Sequence, residues 1–491
     1  MTKNMTRPNI ILIMTDQQRA DTIGALGAPW MKTPNLDRLA KEGAAYSECF
    51  VTSPVCVGAR ASLFTGKYPH GCQVFSNFQP WQPTWVSTLA DHGYHCVNIG
   101  KMHINPYDAP GGFHQRLIME NKDRPLFLEE RDRAIYDEWD KALHNRKLTK
   151  PSRYNRFAAD PEGYKKALGA FTWDLDPDMH PDNLIGDTAC WWIDDRKNQD
   201  PLFLQIGFPG PHPPYDPLPE ALAEYADVDI PTPEVSDQEL QAQPGAQQKL
   251  RDNMIDFNFD SIAWRRDATK EDFLRLRRHY AANVTMIDLQ VGRILKSLDA
   301  RGYLENALVI FTSDHADALG DHGHIQKWTM YDSVVRVPLI FWSKNLDIQK
   351  GIRKELVQMF DIAPTILETA GLPIPEDFEA KSLWGSISKL PNYQPRDAVY
   401  AELARDHIQN GSEFILMRRD SKWKIVLYLD DAYGELYDLG VDPGEKNNLW
   451  NNEALRSTRD ELKIECLSWL ARGSLTANRK SSRAPQKAMK I

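Results

Sequence analysis

The chain has 491 residues, 42% hydrophobic and 26% charged, which suits one large α/β domain with a smaller companion and excludes disorder for its bulk. Its 59 Lys and Arg against 68 Asp and Glu give a formal net charge of −9 and a pI near 5.9. That balance excludes nucleic acid as the main partner but leaves room for a local positive pocket that takes an anionic substrate.

The opening segment, MTKNMTRPNIILIMTDQQR, holds one apolar run, Ile10 to Met14, too short for a signal-peptide core. No stretch reaches the roughly 20 apolar residues of a membrane span. Cys49, Cys56, Cys72, Cys96, Cys190 and Cys466 show no CxxC or metal-finger spacing. A cytoplasmic protein with reduced thiols and no membrane partner is expected.

Short apolar runs at Ile10–Met14, Val97–Ile99, Leu202–Gly207, Leu308–Thr312 and Pro338–Trp342, each bounded by Gly, Pro or Asp, read as buried strands. Helical patterns lie between them. Thr33-Pro34 reads as an N-cap followed by Pro at the first helical position, with Leu36, Leu39 and Ala40 on one face. From Phe273 to Leu298, apolar residues recur every three or four positions. The alternation predicts a large, mostly parallel sheet sandwiched by helices. Residues 108–180 loosen into charged and aromatic positions and read as an insertion on the active-site face.

Beyond about residue 390 the pattern changes to short strand-like runs, AVYAEL, EFILMRR, WKIVLYL and GELYDL, then a helix from about Asn452 to Leu470. The expected organisation is a catalytic domain over 1–390, an antiparallel α+β subdomain over 391–472, and a basic tail over 473–491. The tail reads as a solvated segment, with contact to a neighbouring subunit of a homo-oligomer as the sharper alternative.

Ligand sites in open α/β sheets lie beyond the carboxyl ends of the strands. Two predicted strands end there in carboxylates, Asp16 and Asp314, followed by Gln17 and His315. In SPVCVGARASLFTGKYPHG, Cys56 precedes a helical run and Arg60 follows four residues later, on the same helix face. A nucleophile at a helix N-terminus meets the positive end of the dipole. Taken alone, the segment fits a buried structural thiol equally well.

Here the chain resembles the sulfatase family of the alkaline-phosphatase superfamily. The family signature, C-x-P/A-x-R before an A-S-x-x-T-G run, is met by Cys56-Val-Gly-Ala-Arg60 and Ala61-Ser-Leu-Phe-Thr-Gly66. The likeness continues through RPNIILIMTDQQR, TPNLDRLAKEG, GKMH, GFPGPHPPY, TSDHADALGDHG, KWTMYDSVVRVPLI and ELYDLGVDPGEKNNL. Gly58 departs from the usual Pro or Ala of the signature.

The resemblance implies a hydrolase of sulfate monoesters whose Cys56 is oxidised to formylglycine by a formylglycine-generating enzyme. It implies one divalent cation held by Asp16, Gln17, Asp314, His315 and the side chain at Cys56. Gln17 and His315 stand where many sulfatases have Asp and Asn, and this O/N set suits Ca²⁺ or Mg²⁺ while making Mn²⁺ more attractive. By the same resemblance, Lys101 binds a sulfuryl oxygen and His103 acts on the nucleophile hydroxyls. His212 is the leaving-group acid and Lys327 contacts the sulfate from the other side. Asn77, in VFSNF, matches a substrate-contacting Asn of phosphonate monoester hydrolases.

Two other readings stand beside this one. A phosphonate monoester or phosphate diester hydrolase on the same scaffold shares the Gln and His ligands, and a non-maturing binding homologue follows if Gly58 blocks oxidation. The alcohol could be an aryl, sugar or small alkyl group, and Trp81, Trp85, Trp139, Tyr154, Trp173 and His180 are candidates for a wall against it.

Overall fold

The computed structural model describes residues 7–477 apart from 78, 82, 121, 123–136, 197–200, 257–264, 407 and 430. Its first nine strands are β1 (Asn9–Asp16), β2 (Ala44–Phe50), β3 (His95–Gly100), β4 (Gln115–Ile118), β5 (Leu202–Pro211), β6 (Ala307–Ser313), β7 (Arg336–Trp342), β8 (Gly351–Arg353) and β9 (Val357–Gln358). They form one sheet in the order β4-β3-β5-β1-β6-β7-β2-β8, with β9 beside β2. β1 is parallel to β5 and β6, and β3 to β4 and β5. Only β7 runs the other way, antiparallel to both β6 and β2. The carboxyl ends of β1, β2, β3, β5 and β6 therefore all open on one edge.

The five runs read as strands are strands, and residues 10–16 and 202–211 are buried throughout, as in a sheet covered on both faces. One helical layer comprises Pro34–Glu42, Pro181–Asp195 and Lys270–Ala300, which pack on one another and on the sheet. Thr269 and Asp272 start the last of these with a reciprocal capping box, each side chain satisfying the other's backbone N–H. Thr33 does not cap its own helix, since its hydroxyl receives Gly24 N–H and donates to Asp37. In a separate group, Phe64 of the Cys56–Thr65 helix stacks on Trp85, which meets Phe203 of β5.

The C-terminal strands β10 (Val399–Ala404), β11 (Phe414–Arg419), β12 (Trp423–Tyr428) and β13 (Glu435–Asp438) form a second, wholly antiparallel sheet in that order. The closing helix spans Arg456–Ala477, later at both ends than the sequence pattern suggested, because Asn452 caps a short turn at Glu453–Leu455 instead. Leu416, Ile425, Leu436, Trp450, Leu462 and Cys466 are the core under it. Glu402 N–H donates to Thr52 O and joins the two sheets. Of the expected basic tail, residues 478–491 lie outside the described residues. Among the described residues no helix is long and apolar enough to cross a membrane.

The sequence pattern did not show β2, β4, β8 and β9. β2 reads AAYSECF, with too little apolar bulk to register as a core strand, and is buried because neighbours flank it on both sides. β4 lies inside the stretch read as an insertion, whose other described elements include helices Glu138–Asn145, Arg153–Ala159 and Pro161–Ala167.

Candidate active site

Five strands deliver side chains to the common edge. β1 ends in Asp16, Lys101 follows β3, His212 follows β5, Asp314 and His315 follow β6, and Cys56 opens the helix after β2. The ends of β3 and β5 meet closely. Lys101 N–H donates to Gly207 O at 2.8 Å, and a Cβ on Gly207 would fall 2.0 Å from Lys101 O. Gly100 beside it has φ +91°, so Lys101 leaves the strand on a turn that favours glycine.

Cys56 is the first residue of its helix and only 7% exposed. Lys327 Nζ lies 3.8 Å from its Sγ. Burial works to raise the thiol pKa, but the Lys327 and Lys101 ammonium groups outweigh it and hold the pKa below the ordinary value. The other five cysteines all move the opposite way: burial pushes Cys49 and Cys190 up, and Cys72, Cys96 and Cys466 to about 12. This contrast separates Cys56 from the structural thiols. At Gly58 a Cβ would fall 2.8 Å from Ser53 Oγ, so Ser53 fills the space a larger third signature residue would use.

Behind Cys56 lies a buried donor set. One ligand atom each from Asp16, Asp314 and His315 falls within 4.8 Å of the others. His315 Nδ1 is 2.9 Å from Ala316 O, an acceptor, so Nδ1 carries the proton and Nε2 keeps its lone pair. That Nε2 points toward Asp16 Oδ1 at 3.6 Å and Asp314 Oδ1 at 3.9 Å. Gln17 Oε1, Asp16 Oδ1 and His315 Nε2 are buried without a hydrogen-bond partner. Buried oxygen and nitrogen acceptors with nothing to accept from fit a divalent cation.

The carboxylates are held by cations. Lys101 Nζ is 2.5 Å from Asp16 Oδ2, and Arg60 Nε is 2.6 Å from Asp314 Oδ2. Burial opposes ionisation of Asp16, but the positive charge around it, that of Lys101 first, overrides it and keeps its pKa well below the carboxylate range. His103 adopts φ +65°, and Glu120 accepts from its N–H at 2.8 Å to fix the turn. Burial, reinforced by Lys101, lowers the His103 pKa to about 3, so its imidazole is neutral, and its Nδ1 is buried without a hydrogen-bond partner.

His212 donates from Nδ1 to Pro213 O at 2.8 Å, leaving Nε2 to accept from Lys327 Nζ at 3.3 Å. Burial and then Lys327 lower its pKa well below the ordinary imidazole value. The resting proton of this pair therefore sits on Lys327, not on His212.

The expected site residues Asp16, Gln17, Cys56, Arg60, Lys101, His103, His212, Asp314, His315 and Lys327 lie together at this edge, whereas Asn77 is exposed in the segment after the Pro69–Cys72 helix. Four of the six residues expected as an aromatic wall are buried instead. Trp85, Trp139, Trp173 and His180 are core residues, and the three indoles donate to Leu63 O, Met179 O and Asp176 O. Trp81 is half-buried, and the Tyr154 side chain is outside the described residues.

Sequence reasoning missed the supports. Asp317 binds the Gln17 amide, Glu120 binds the backbone of the GKMH turn, and Tyr280 donates to Gln17 O at 2.6 Å. Asp317, three residues past Asp314, was within reach of motif reading. Glu120 and Tyr280 act across long chain separations and leave no local signal.

With this geometry in view, the likeness to known proteins is decisive. The sulfatase family model matches residues 8–372, and that of the C-terminal region of N-sulphoglucosamine sulphohydrolase matches 320–470. The chain belongs to the sulfatase family. This sulfatase is 30% identical over 474 residues to an arylsulfatase of Clostridium perfringens, covering 93% of each chain. It is 27% identical over 455 residues to a choline-sulfatase of Rhizobium meliloti, covering 91% of this chain and 83% of that one. Its fold is that of the phosphonate monoester hydrolase of Agrobacterium radiobacter, with a TM-score of 0.76, 23% identity, and coverage of 95% and 96%. It is a sulfuric ester hydrolase.

Proposed function

We propose that this protein hydrolyses sulfate monoesters to an alcohol and inorganic sulfate, with a formylglycine made from Cys56 as nucleophile and one divalent cation. The observation that carries the reading is the arrangement at Cys56: a thiol 3.8 Å from Lys327 Nζ, set against a buried donor set of Asp16, Gln17, Asp314 and His315 with orphaned acceptor atoms. The hydrate of a formylglycine supplies two hydroxyls on one carbon, one to bond sulfur and one whose deprotonation expels sulfate. The cation supplies Lewis-acid stabilisation of developing negative charge.

The chain's own residues do the rest. Lys101 and Lys327 bring positive charge to the sulfuryl oxygens. Arg60, hydrogen-bonded to Asp314, Lys101 O and Thr15 O, holds the ligand edge rigid. Neutral His103, with an unpartnered Nδ1, is a base for the second hydroxyl. The departing oxygen takes its proton from the Lys327–His212 pair, in which Lys327 holds it at rest.

The named activities of the relatives, arylsulfatase and choline-sulfatase, support a sulfate ester of a small or aromatic alcohol. A phosphonate monoester or phosphate diester activity is the second reading, favoured by the Gln17 and His315 donors. Initial rates on matched aryl sulfate and aryl phosphonate esters, with Mn²⁺ or Ca²⁺ added back to stripped protein, test both. A higher kcat/KM for the sulfate supports the proposal, and a higher one for the phosphonate replaces it with the second reading.

A further inference from the structure

We propose that Asp317 is a positioning residue. It fixes the Gln17 amide with its carbonyl oxygen toward the cation, and it restores from behind the negative charge that an amide ligand lacks; the inference rests on the metal-dependent reading above. A primary amide has two ends of nearly the same shape, of which only the oxygen can ligate. Gln17 Nε2 donates to Asp317 Oδ2 at 2.5 Å, while Gln17 Oε1 is buried without a hydrogen-bond partner. The reversed amide would set its oxygen against a carboxylate and its N–H groups against the cation.

Asp317 is itself fixed. It is fully buried, and its Oδ1 accepts Leu319 N–H at 2.9 Å and Gln326 N–H at 2.8 Å. Its Oδ2 accepts the Tyr215 hydroxyl at 2.5 Å in addition to Gln17. Four donors thus converge on its two oxygens and fix both in place. Gln17 is pinned through its backbone as well. Its φ is +73°, and Tyr280 O–H and Asp314 Oδ1 take its C=O and N–H at 2.6 and 3.1 Å. A non-glycine residue in that region persists only where its surroundings over-determine it.

The other partners of Asp317 are neighbours of the remaining site groups. Tyr215 follows His212 by three residues, and Gln326 precedes Lys327. One carboxylate thus ties a metal ligand to the loops that carry the acid pair. A carboxylate hydrogen-bonded to the amide nitrogen also makes the amide oxygen a stronger donor, the usual effect of a partner behind a ligand.

The test is equilibrium binding of Mn²⁺ to chelator-stripped full-length protein by calorimetry, alongside the melting temperature of the metal-free protein. Asp317→Asn is expected to weaken the Kd about 10- to 100-fold. The double variant Gln17→Glu with Asp317→Asn, whose ligand has no wrong end and carries the charge itself, is expected to return to within about 10-fold of wild type. An unchanged Kd in Asp317→Asn overturns the proposal, and so does failure of the double variant to recover. If Asp317→Asn does not fold, the double variant decides alone: a near-wild-type Kd supports the assignment and absent binding overturns it. Wild-type protein that binds no Mn²⁺ overturns the functional reading beneath it, which separates the two failures.

Discussion

Arg60 Nε and Asp314 Oδ2 are 2.6 Å apart with both side chains wholly buried. The guanidinium also donates to Lys101 O at 3.1 Å and lies 3.9 Å from Asp16 Oδ2. It is therefore engaged with the metal-side carboxylates and two strand ends, and the positive charge facing Cys56 comes first from Lys327 and then Lys101. Removing one member of a buried pair strands the other's charge, which costs about 3–5 kcal/mol. Arg60→Ala is expected to lose that much stability in denaturant titration, and a loss under about 1 kcal/mol would show that the pair is not a support.

Cys56 is expected to be dispensable for folding and indispensable for turnover. Its side chain is small and close to the accessible edge, so Cys56→Ala should keep a melting temperature within a few degrees of wild type, a change of about 1 kcal/mol or less. Steady-state rates on an aryl sulfate should fall to background. Retained turnover in a folded Cys56→Ala protein would contradict the nucleophile assignment.

His212 should matter in proportion to how badly the leaving group needs a proton. With its Nε2 receiving a hydrogen bond from Lys327, His212→Ala removes the relay to the departing oxygen. Across a series of aryl sulfates, loss of kcat/KM should be largest, of order 10²–10⁴, for the least acidic phenols and smallest for nitrophenol. An equal loss across the series would assign His212 to binding.

His70 ties the Pro69–Cys72 helix to the C-terminal sheet and carries a pH signature. Its backbone N–H donates to Glu402 Oε1 at 2.5 Å, its Nδ1 lies 3.0 Å from the same oxygen, and Trp469 of the closing helix packs edge-on against the ring. Burial opposes its protonation, but Glu402 and Glu379 prevail and raise the pKa above the ordinary imidazole value. A raised folded pKa gives stability that is complete below the unfolded value of about 6.5 and lost as pH climbs through the folded one. His70→Gln should therefore destabilise more at acid pH than at alkaline pH in paired melts. The reverse order would contradict the ion pair.

The legible parts of this protein share one property: they are local. β1 and β6 announce themselves because a parallel strand buried on both faces is an unbroken apolar run, and Asp16 and Asp314 close those runs. Lys101 and His212 are placed in the same way, by the strands before them. β2 was hidden because its burial comes from flanking strands and not from its own residues. Trp139 and Trp173 were misplaced for the converse reason, since apolar bulk does not say whether it faces a ligand or the core. Glu120 and Tyr280 work through hydrogen bonds to groups elsewhere in the chain, which no spacing rule records.

The most direct test of the account is the mass of the tryptic peptide from Glu42 to Arg60, taken from protein that has been shown to release sulfate from an aryl sulfate. The account predicts an aldehyde in place of the Cys56 thiol, with Cys49 in the same peptide unchanged. Active protein whose Cys56 remains an intact thiol would contradict it.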